Sequence, residues 1–382
     1  MTDAPIFGTG VTTIFEEMSG LARSHGAINL GQGFPSGDGP LDVRQAAADA
    51  LLTRSNQYPP MMGVPELRTG VAEHYARFQG LTLTPDHVLV TSGATEALAA
   101  AILALVRPGD EVLLIQPSYD AYLPLVRRAG GVARFLTLRP PAWRLTAEAL
   151  EEAFASKPRV VLFNDPLNPT GRAFDAEEVA LLAAMCRRHG TIAICDEVWE
   201  HVLFDGRRHR PLLAEPGMER LAVKIGSAGK IFSMTGWKVG FVAADPALLR
   251  PITEAHQFLT FTTPPALQYG VAYGLAKDEA YFAEMRAGYQ RSRDRLAAGL
   301  AEAGFATLPS EATYFLCVDL PASGIREGDR AFCLRIVEEV GVAAIPVSAF
   351  YAEDAVTSTV RFCFAKEDAM LDEAVRRLAG MR

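Results

Sequence analysis

Between residues 87 and 225, short apolar runs alternate with helical patterns, and this constrains the fold more than anything else in the chain. Residues 87–91, 111–115, 159–163, 191–195 and 221–225 are dominated by Val, Leu, Ile, Ala and Phe, with little polar alternation. Residues 95–106 read as an Ala/Leu-rich helix, another helix begins at about Ala121, and a third covers 176–189. A strand apolar on both faces has to be covered on both faces. Strand–helix alternation of this kind therefore predicts an α/β fold, a mostly parallel sheet flanked by helices. Ligands of such sheets bind beyond the carboxyl ends of the strands. A long helical pattern over 279–303 leads to a smaller α+β portion, with strands at 314–319 and 359–364 and helices near 331–340 and 367–378. The first forty residues, rich in Gly and Pro, read as an arm. The expected division is an arm over 1–40, a large unit over 41–285 and a small unit over 286–382, which suits a chain of 382 residues.

The net charge of −8 argues against non-specific binding to nucleic acid or an anionic membrane. Every apolar run is too short to span a bilayer. The five cysteines are scattered without a C-x-x-C pair, as expected of reduced, buried thiols. The N-terminus has no basic stretch followed by an apolar one. Together these features predict a cytoplasmic protein.

The residues able to do chemistry gather at the predicted strand ends. Gly-Ser-Ala-Gly-Lys at 226–230 puts Lys230 on a small-residue turn, and Lys238 follows one loop later. A desolvated lysine near an anion can form a Schiff base, and small neighbours let a phosphate approach the backbone. Taken alone, the stretch also reads as a surface lysine in a Gly-rich loop. Gly93-Ala-Thr-Glu opens a helix after a strand, which makes an anion cradle or a plain N-terminal cap. The Pro-punctuated segment 164–171 is a structural turn, or one that aims the Asn168 amide into a site. Asp196 ends a buried strand, where a carboxylate is costly without a positive partner. In a pyridoxal site the ring N–H is that partner. Asp196, Glu197, Glu200 and His201 resemble a metal cluster, but H-E-x-x-H is missing and a strand sends successive residues to opposite faces. No metal site is expected.

With these motifs in place, the chain resembles the fold-type I pyridoxal-phosphate aminotransferases of class I/II over nearly its whole length. It is most similar to the subgroup of kynurenine aminotransferase, glutamine transaminase K and bacterial methionine aminotransferases. Asn-Leu-Gly-Gln-Gly-Phe-Pro (29–35), Gly-Ser-Ala-Gly-Lys (226–230), Thr-Gly-Trp-Lys-Val-Gly (235–240), Ala-Ile-Pro-Val-Ser-Ala-Phe-Tyr (344–351) and Arg-Phe-Cys-Phe-Ala-Lys (361–366) carry the likeness. The resemblance implies pyridoxal 5'-phosphate as cofactor, linked to Lys230. It further implies Asp196 at the ring nitrogen, Asn168 at the ring 3-oxygen and Tyr119 stacked on the ring. The phosphate would be held by Ala94, Thr95, Ser227, Lys238 and the neighbouring subunit's copy of Tyr58, in a homodimer with shared sites. Arg361 would clamp the substrate carboxylate beside Gly33, with Phe15, Tyr351 and the partner's copy of Phe261 around the side chain.

Two positions depart from the pattern. Trp199 stands where the family carries a tyrosine that donates to the ring 3-oxygen; the indole is expected to substitute as donor, the alternative being that this bond is lost and Asn168 acts alone. Phe15 stands where relatives that prefer aromatic substrates often carry tryptophan. The implied reaction is reversible amino transfer between 2-oxo acids and apolar, sulfur-containing, aromatic or glutamine-like amino acids. Aspartate would need a second cation. The basic run 207–210 could supply one, but its setting reads as a solvated loop. A β-lyase using the same lysine is one alternative. A ligand-binding regulator on an aminotransferase-like domain is another, and it lacks the expected DNA-binding module.

Overall fold

The computed structural model describes residues 13–381. Its central sheet holds seven strands: β1 (Val88–Thr91), β2 (Glu111–Gln116), β3 (Val132–Thr137), β4 (Val160–Asn164), β5 (Ile192–Asp196), β6 (Ala222–Ser227) and β7 (Gly240–Ala244). Their spatial order is β1-β7-β6-β5-β4-β2-β3, and β7 alone runs antiparallel to its neighbours. Alternate side chains enter separate cores. Leu113, Ile115, Val161 and Phe163 join one apolar cluster, and Val112, Leu114, Val160 and Leu162 join another on the opposite face. This two-sided burial is the physical reason the strands read as continuous apolar runs. The fold is the expected α/β arrangement.

The helices stop where local chemistry tells them to. Ala176–His189 starts at an Asp175/Glu178 capping box and ends at Gly190, whose φ of 68° suits glycine. Glu279–Glu302 begins at the Asp278 cap and leads to a second, antiparallel sheet. That sheet has the order β10-β11-β9-β8, from β8 (Ala306–Thr307), β9 (Phe315–Asp319), β10 (Ile345–Pro346) and β11 (Thr359–Cys363). Residues 13–40 carry the helix Ile14–Ser24, and the helices Leu41–Thr53 and Pro65–Gln79 follow before β1. Ile28–Asn29 pairs in parallel with Val342–Ala343, and Met18, Ala22 and Leu30 share a core with the second sheet. All five cysteines are free and buried. No helix among the described residues is long and apolar enough to cross a membrane.

Candidate active site

A cavity of about 540 Å³ opens at the carboxyl ends of the parallel strands, roofed by residues of the second sheet and the N-terminal segment. Its lining includes Lys230, Asp196, Ala94, Thr95, Tyr119, Asn168, Trp199, Ser227, Lys238, Arg361, Gly33 and Phe15, which converge from well-separated stretches of the chain.

At one end, Gly93–Leu105 directs its first backbone N–H groups into the cavity. A side chain on Gly240 would lie 2.5 Å from the Gly93 carbonyl carbon, so β7 can sit against this terminus only as glycine. Lys238 holds a left-handed φ of 53°, and its Nζ lies 3.2 Å from where a Gly93 Cβ would be. Such a backbone costs roughly 1 kcal/mol or more, and here it places an ammonium beside the helix N-terminus. Ser227 ends β6 alongside. The set suits a phosphate.

At the other end, Asp196 Oδ2 accepts a 2.6 Å hydrogen bond from the Tyr122 hydroxyl, while Oδ1 is buried with no partner among the described residues. Burial raises the Asp196 pKa, opposed by Tyr122, a backbone N–H and the Lys230 charge. A cationic N–H at Oδ1 would satisfy the orphaned oxygen and restore the ionised form. A phosphate cradle at one end and an unsatisfied carboxylate at the other fit pyridoxal phosphate, with the Tyr119 ring between them.

Lys230 follows β6 on the short helix Ala228–Ile231. Burial lowers its pKa to about 8, partly offset by Asp196, so a useful fraction of free amine exists near neutral pH. Its Nζ lies 4.8 Å from the Trp199 ring centroid and 3.4 Å from Tyr314 Oη. Asn168 is set by a hydrogen bond from its own N–H to Asn164 Oδ1 (3.0 Å), and Asn164 donates to the Asp196 carbonyl at 2.7 Å. Asn168 Oδ1 accepts from Arg361 at 2.7 Å, which leaves the side-chain NH₂ free of that bond in a residue that lines the cavity.

Arg361 lies on β11, is fully buried, and donates to Asn168 and to the Gly31 carbonyl. Its plane stacks 3.9 Å from the Phe315 ring centroid, and Nε has no partner among the described residues. Desolvation pulls its pKa down to about 10, so it remains charged at neutral pH. No carboxylate among the described residues forms an ion pair with it, although Asp120 shares the cavity wall. A buried fork without a counter-ion is a receptor for a carboxylate.

Some expectations land elsewhere. Tyr351 does not line the cavity. It is buried in the core of the large sheet, where its hydroxyl donates to the Leu138 carbonyl and accepts from Trp143. Its neighbour Phe350 packs on Phe15 instead, because the turn Val347–Phe350 sends adjacent side chains to different sides. Tyr58 is 81% exposed and packs against Phe261 at 5.3 Å, both outside their own chain's cavity. The loop 207–210 is not uniformly solvated. His209 is buried, with Nε2 2.9 Å from Glu197 and Nδ1 3.7 Å from Asp165. Glu197 and Glu200 both pair with the buried Lys224, a structural use of that acidic group. Sequence reasoning missed Tyr122, Phe315 and Lys224. Tyr122 was findable from its spacing of three after Tyr119 at a helix start. Phe315 is two residues from Cys317, which pairs with Arg361, so it shares the arginine's face of the sheet.

This fold and site define a class of cofactor-dependent transferase. Residues 25–378 match the family described as aminotransferase class I and II, and the chain belongs to that family. It is an aminotransferase, and members of its class use pyridoxal 5'-phosphate. It is similar to the solved N-succinyldiaminopimelate aminotransferase of Mycobacterium tuberculosis, at 44% identity and a TM-score of 0.94 over 97% of this chain and 98% of that one. An Escherichia coli structure with methionine aminotransferase function matches at 38% identity and a TM-score of 0.95 over the full length of both chains. Human kynurenine–oxoglutarate transaminase 1 is 34% identical, with 94% of this chain and 93% of that protein covered.

Proposed function

We propose that this aminotransferase moves amino groups between 2-oxo acids and L-amino acids with apolar, sulfur-containing, aromatic or glutamine-like side chains. One observation carries the substrate class. The cations among the described lining residues are Lys230, Lys238 and Arg361, and cofactor and α-carboxylate account for all three. The wall beyond them is Phe15, Phe34 and Leu98, with Asp120 adding negative charge. A substrate with a distal carboxylate, such as the one named for the Mycobacterium relative, would meet no further cation among the described lining residues.

Bound pyridoxal phosphate supplies an electron sink for the charge that develops at the substrate α-carbon. The protein groups do the rest. Ala94, Thr95, Ser227 and Lys238 would hold the phosphate, Tyr119 the ring face, Asp196 the ring N–H and Asn168 the ring oxygen. Arg361 fixes the α-carboxylate and so aims the α-C–H bond. Lys230 would hold the cofactor covalently and, once freed by substrate, take the α-proton and return it on the far side of the reaction. Trp199 offers Lys230 a ring face, which steadies the ammonium by cation–π attraction.

A homodimer completes this reading, with Tyr58 and Phe261 serving the partner's site. So do a cytoplasmic location and the division at residues 40 and 285. The test is reductive trapping. Borohydride followed by mass spectrometry should place the cofactor on Lys230, and Lys230→Ala should lose both turnover and visible absorbance. Full activity in that variant ends the proposal. A panel of amino donors should rank methionine-like side chains above aspartate; preference for a succinylated dicarboxylate would refute the substrate class alone.

A further inference from the structure

Among the described residues, Lys230 Nζ makes one side-chain hydrogen bond, 3.4 Å to Tyr314 Oη. Tyr314 is fully buried, and Oη lies 2.9 Å from the Gly33 carbonyl oxygen. A phenol has one proton, and a carbonyl can only accept, so that proton belongs to Gly33. The oxygen therefore presents lone pairs to Nζ and accepts from it. The consequence for chemistry is direct. An amine that donates to Tyr314 keeps its own lone pair free, whereas a hydroxyl able to donate would compete for it.

The surroundings hold this geometry in place. Trp199 packs edge-on against Tyr314 with centroids 4.3 Å apart, and Phe315 and Tyr289 close in at 5.2 and 5.8 Å. The Tyr289 and Ser233 hydroxyls are hydrogen-bonded to each other at 2.5 Å, which anchors that ring in turn. Trp199 brings a ring face to Lys230 at the position where the resemblance leads one to expect a tyrosine directed at the ring 3-oxygen, and the hydroxyl that reaches Nζ is that of Tyr314. Gly33 lines the cavity, and a Cβ there would lie 2.7 Å from the Phe315 ring, so its backbone is pinned as well.

We propose that Tyr314 is the positioning residue for Lys230: it fixes the direction of the amine and, through Gly33, ties that direction to the backbone strip facing the substrate. This rests on Lys230 being the reactive amine, as proposed above. The other charged or titratable groups around Nζ are Asp196 and Cys363, which favour the ammonium, and Arg361 and Lys238, which oppose it. Burial holds the Tyr314 phenol well above its ordinary value, so it stays neutral throughout the working range.

Tyr314→Phe in the full chain loaded with pyridoxal phosphate should lower kcat about tenfold, with KM for methionine changing less than about twofold. A second readout separates positioning from packing. In the full chain stripped of cofactor, acylation of Lys230 followed by mass spectrometry gives the pH midpoint of the free amine. Loss of an acceptor leaves the ammonium less supported, so the midpoint should fall by about one unit. Trp199→Tyr added to Tyr314→Phe returns a phenol to Lys230 and should recover part of the lost kcat. An unmoved midpoint, or an unchanged kcat, overturns the assignment. If Tyr314→Phe does not fold, 3-fluorotyrosine at position 314 preserves ring size and weakens the acceptor. A midpoint lower by about a few tenths of a unit supports the assignment, and no change overturns it. Failure to trap cofactor on Lys230 in the unaltered protein would instead defeat the proposed function, so the two failures are distinguishable.

Discussion

Lys230 follows the small residues Ser227, Ala228 and Gly229, and it lines the cavity at the end of β6. Arg361, in a strand whose residue types look structural, is the proposed carboxylate clamp. Its geometry now makes a specific demand. Two of its nitrogens are committed to Asn168 and Gly31, so the remaining N–H groups must meet the substrate as a planar fork. Arg361→Lys keeps the charge and loses the fork, and should raise KM for amino donors roughly tenfold or more, with a smaller effect on kcat, in steady-state assays. Asp120 tests the substrate class. Asp120→Asn removes a negative charge from the wall and should raise kcat/KM for glutamate relative to methionine by about threefold or more; an unchanged ratio would take Asp120 out of the selectivity argument. Tyr351 shows the limit of motif reasoning. A motif fixes which residues are near a site, but the turn geometry decides which of two neighbours faces it.

The long buried strands were legible from hydrophobic pattern because burial on both faces leaves no polar alternation. β3 and β7 were not. β3 is a half-exposed edge strand interrupted by Arg134, and β7 is too rich in Gly and Ala to stand out. Behind the site, the strand ends are tied by buried charge. Lys224 on β6 reaches Glu197 at 2.5 Å and Glu200 at 2.8 Å, with His209 on the far side of Glu197. Burial pushes the Glu197 carboxyl up, but Lys224 and His209 outweigh it and hold the group at about 2. The same carboxylates keep the Lys224 ammonium above its usual range despite desolvation. Glu197 adjoins Asp196, so this network fixes the strand end that carries the proposed counter-charge to the cofactor. Lys224→Met strands two buried carboxylates and should cost about 3–5 kcal/mol in denaturant unfolding. Adding Glu197→Gln should recover part of that loss; a cost below about 1 kcal/mol would mean the network is dispensable.

At the scale of the whole molecule, the layer architecture followed from strand–helix alternation, and the second sheet from the pattern beyond residue 303. The helices before residue 80 were hidden by the Gly and Pro between them, and by the weak amphipathicity of Leu41–Thr53. One surface feature has no counterpart in sequence pattern. Leu52, Tyr58 and Phe258 are 83%, 81% and 85% exposed, and Tyr58 packs on Phe261, three residues beyond Phe258, so large apolar side chains are left facing water. Chains of 41.3 kDa should therefore sediment as pairs. Phe258→Asp should shift them toward single chains and reduce turnover in proportion, because Tyr58 and Phe261 would no longer reach a neighbour's site; a fully active monomer would contradict shared sites.

Arg361 has a practical corollary. A guanidinium already stripped of water makes no distinction between a substrate and any other small acid that fits the same niche. Acetate, propionate or butyrate in a reaction buffer should behave as competitive inhibitors, so rates measured in such buffers would understate what the enzyme can do.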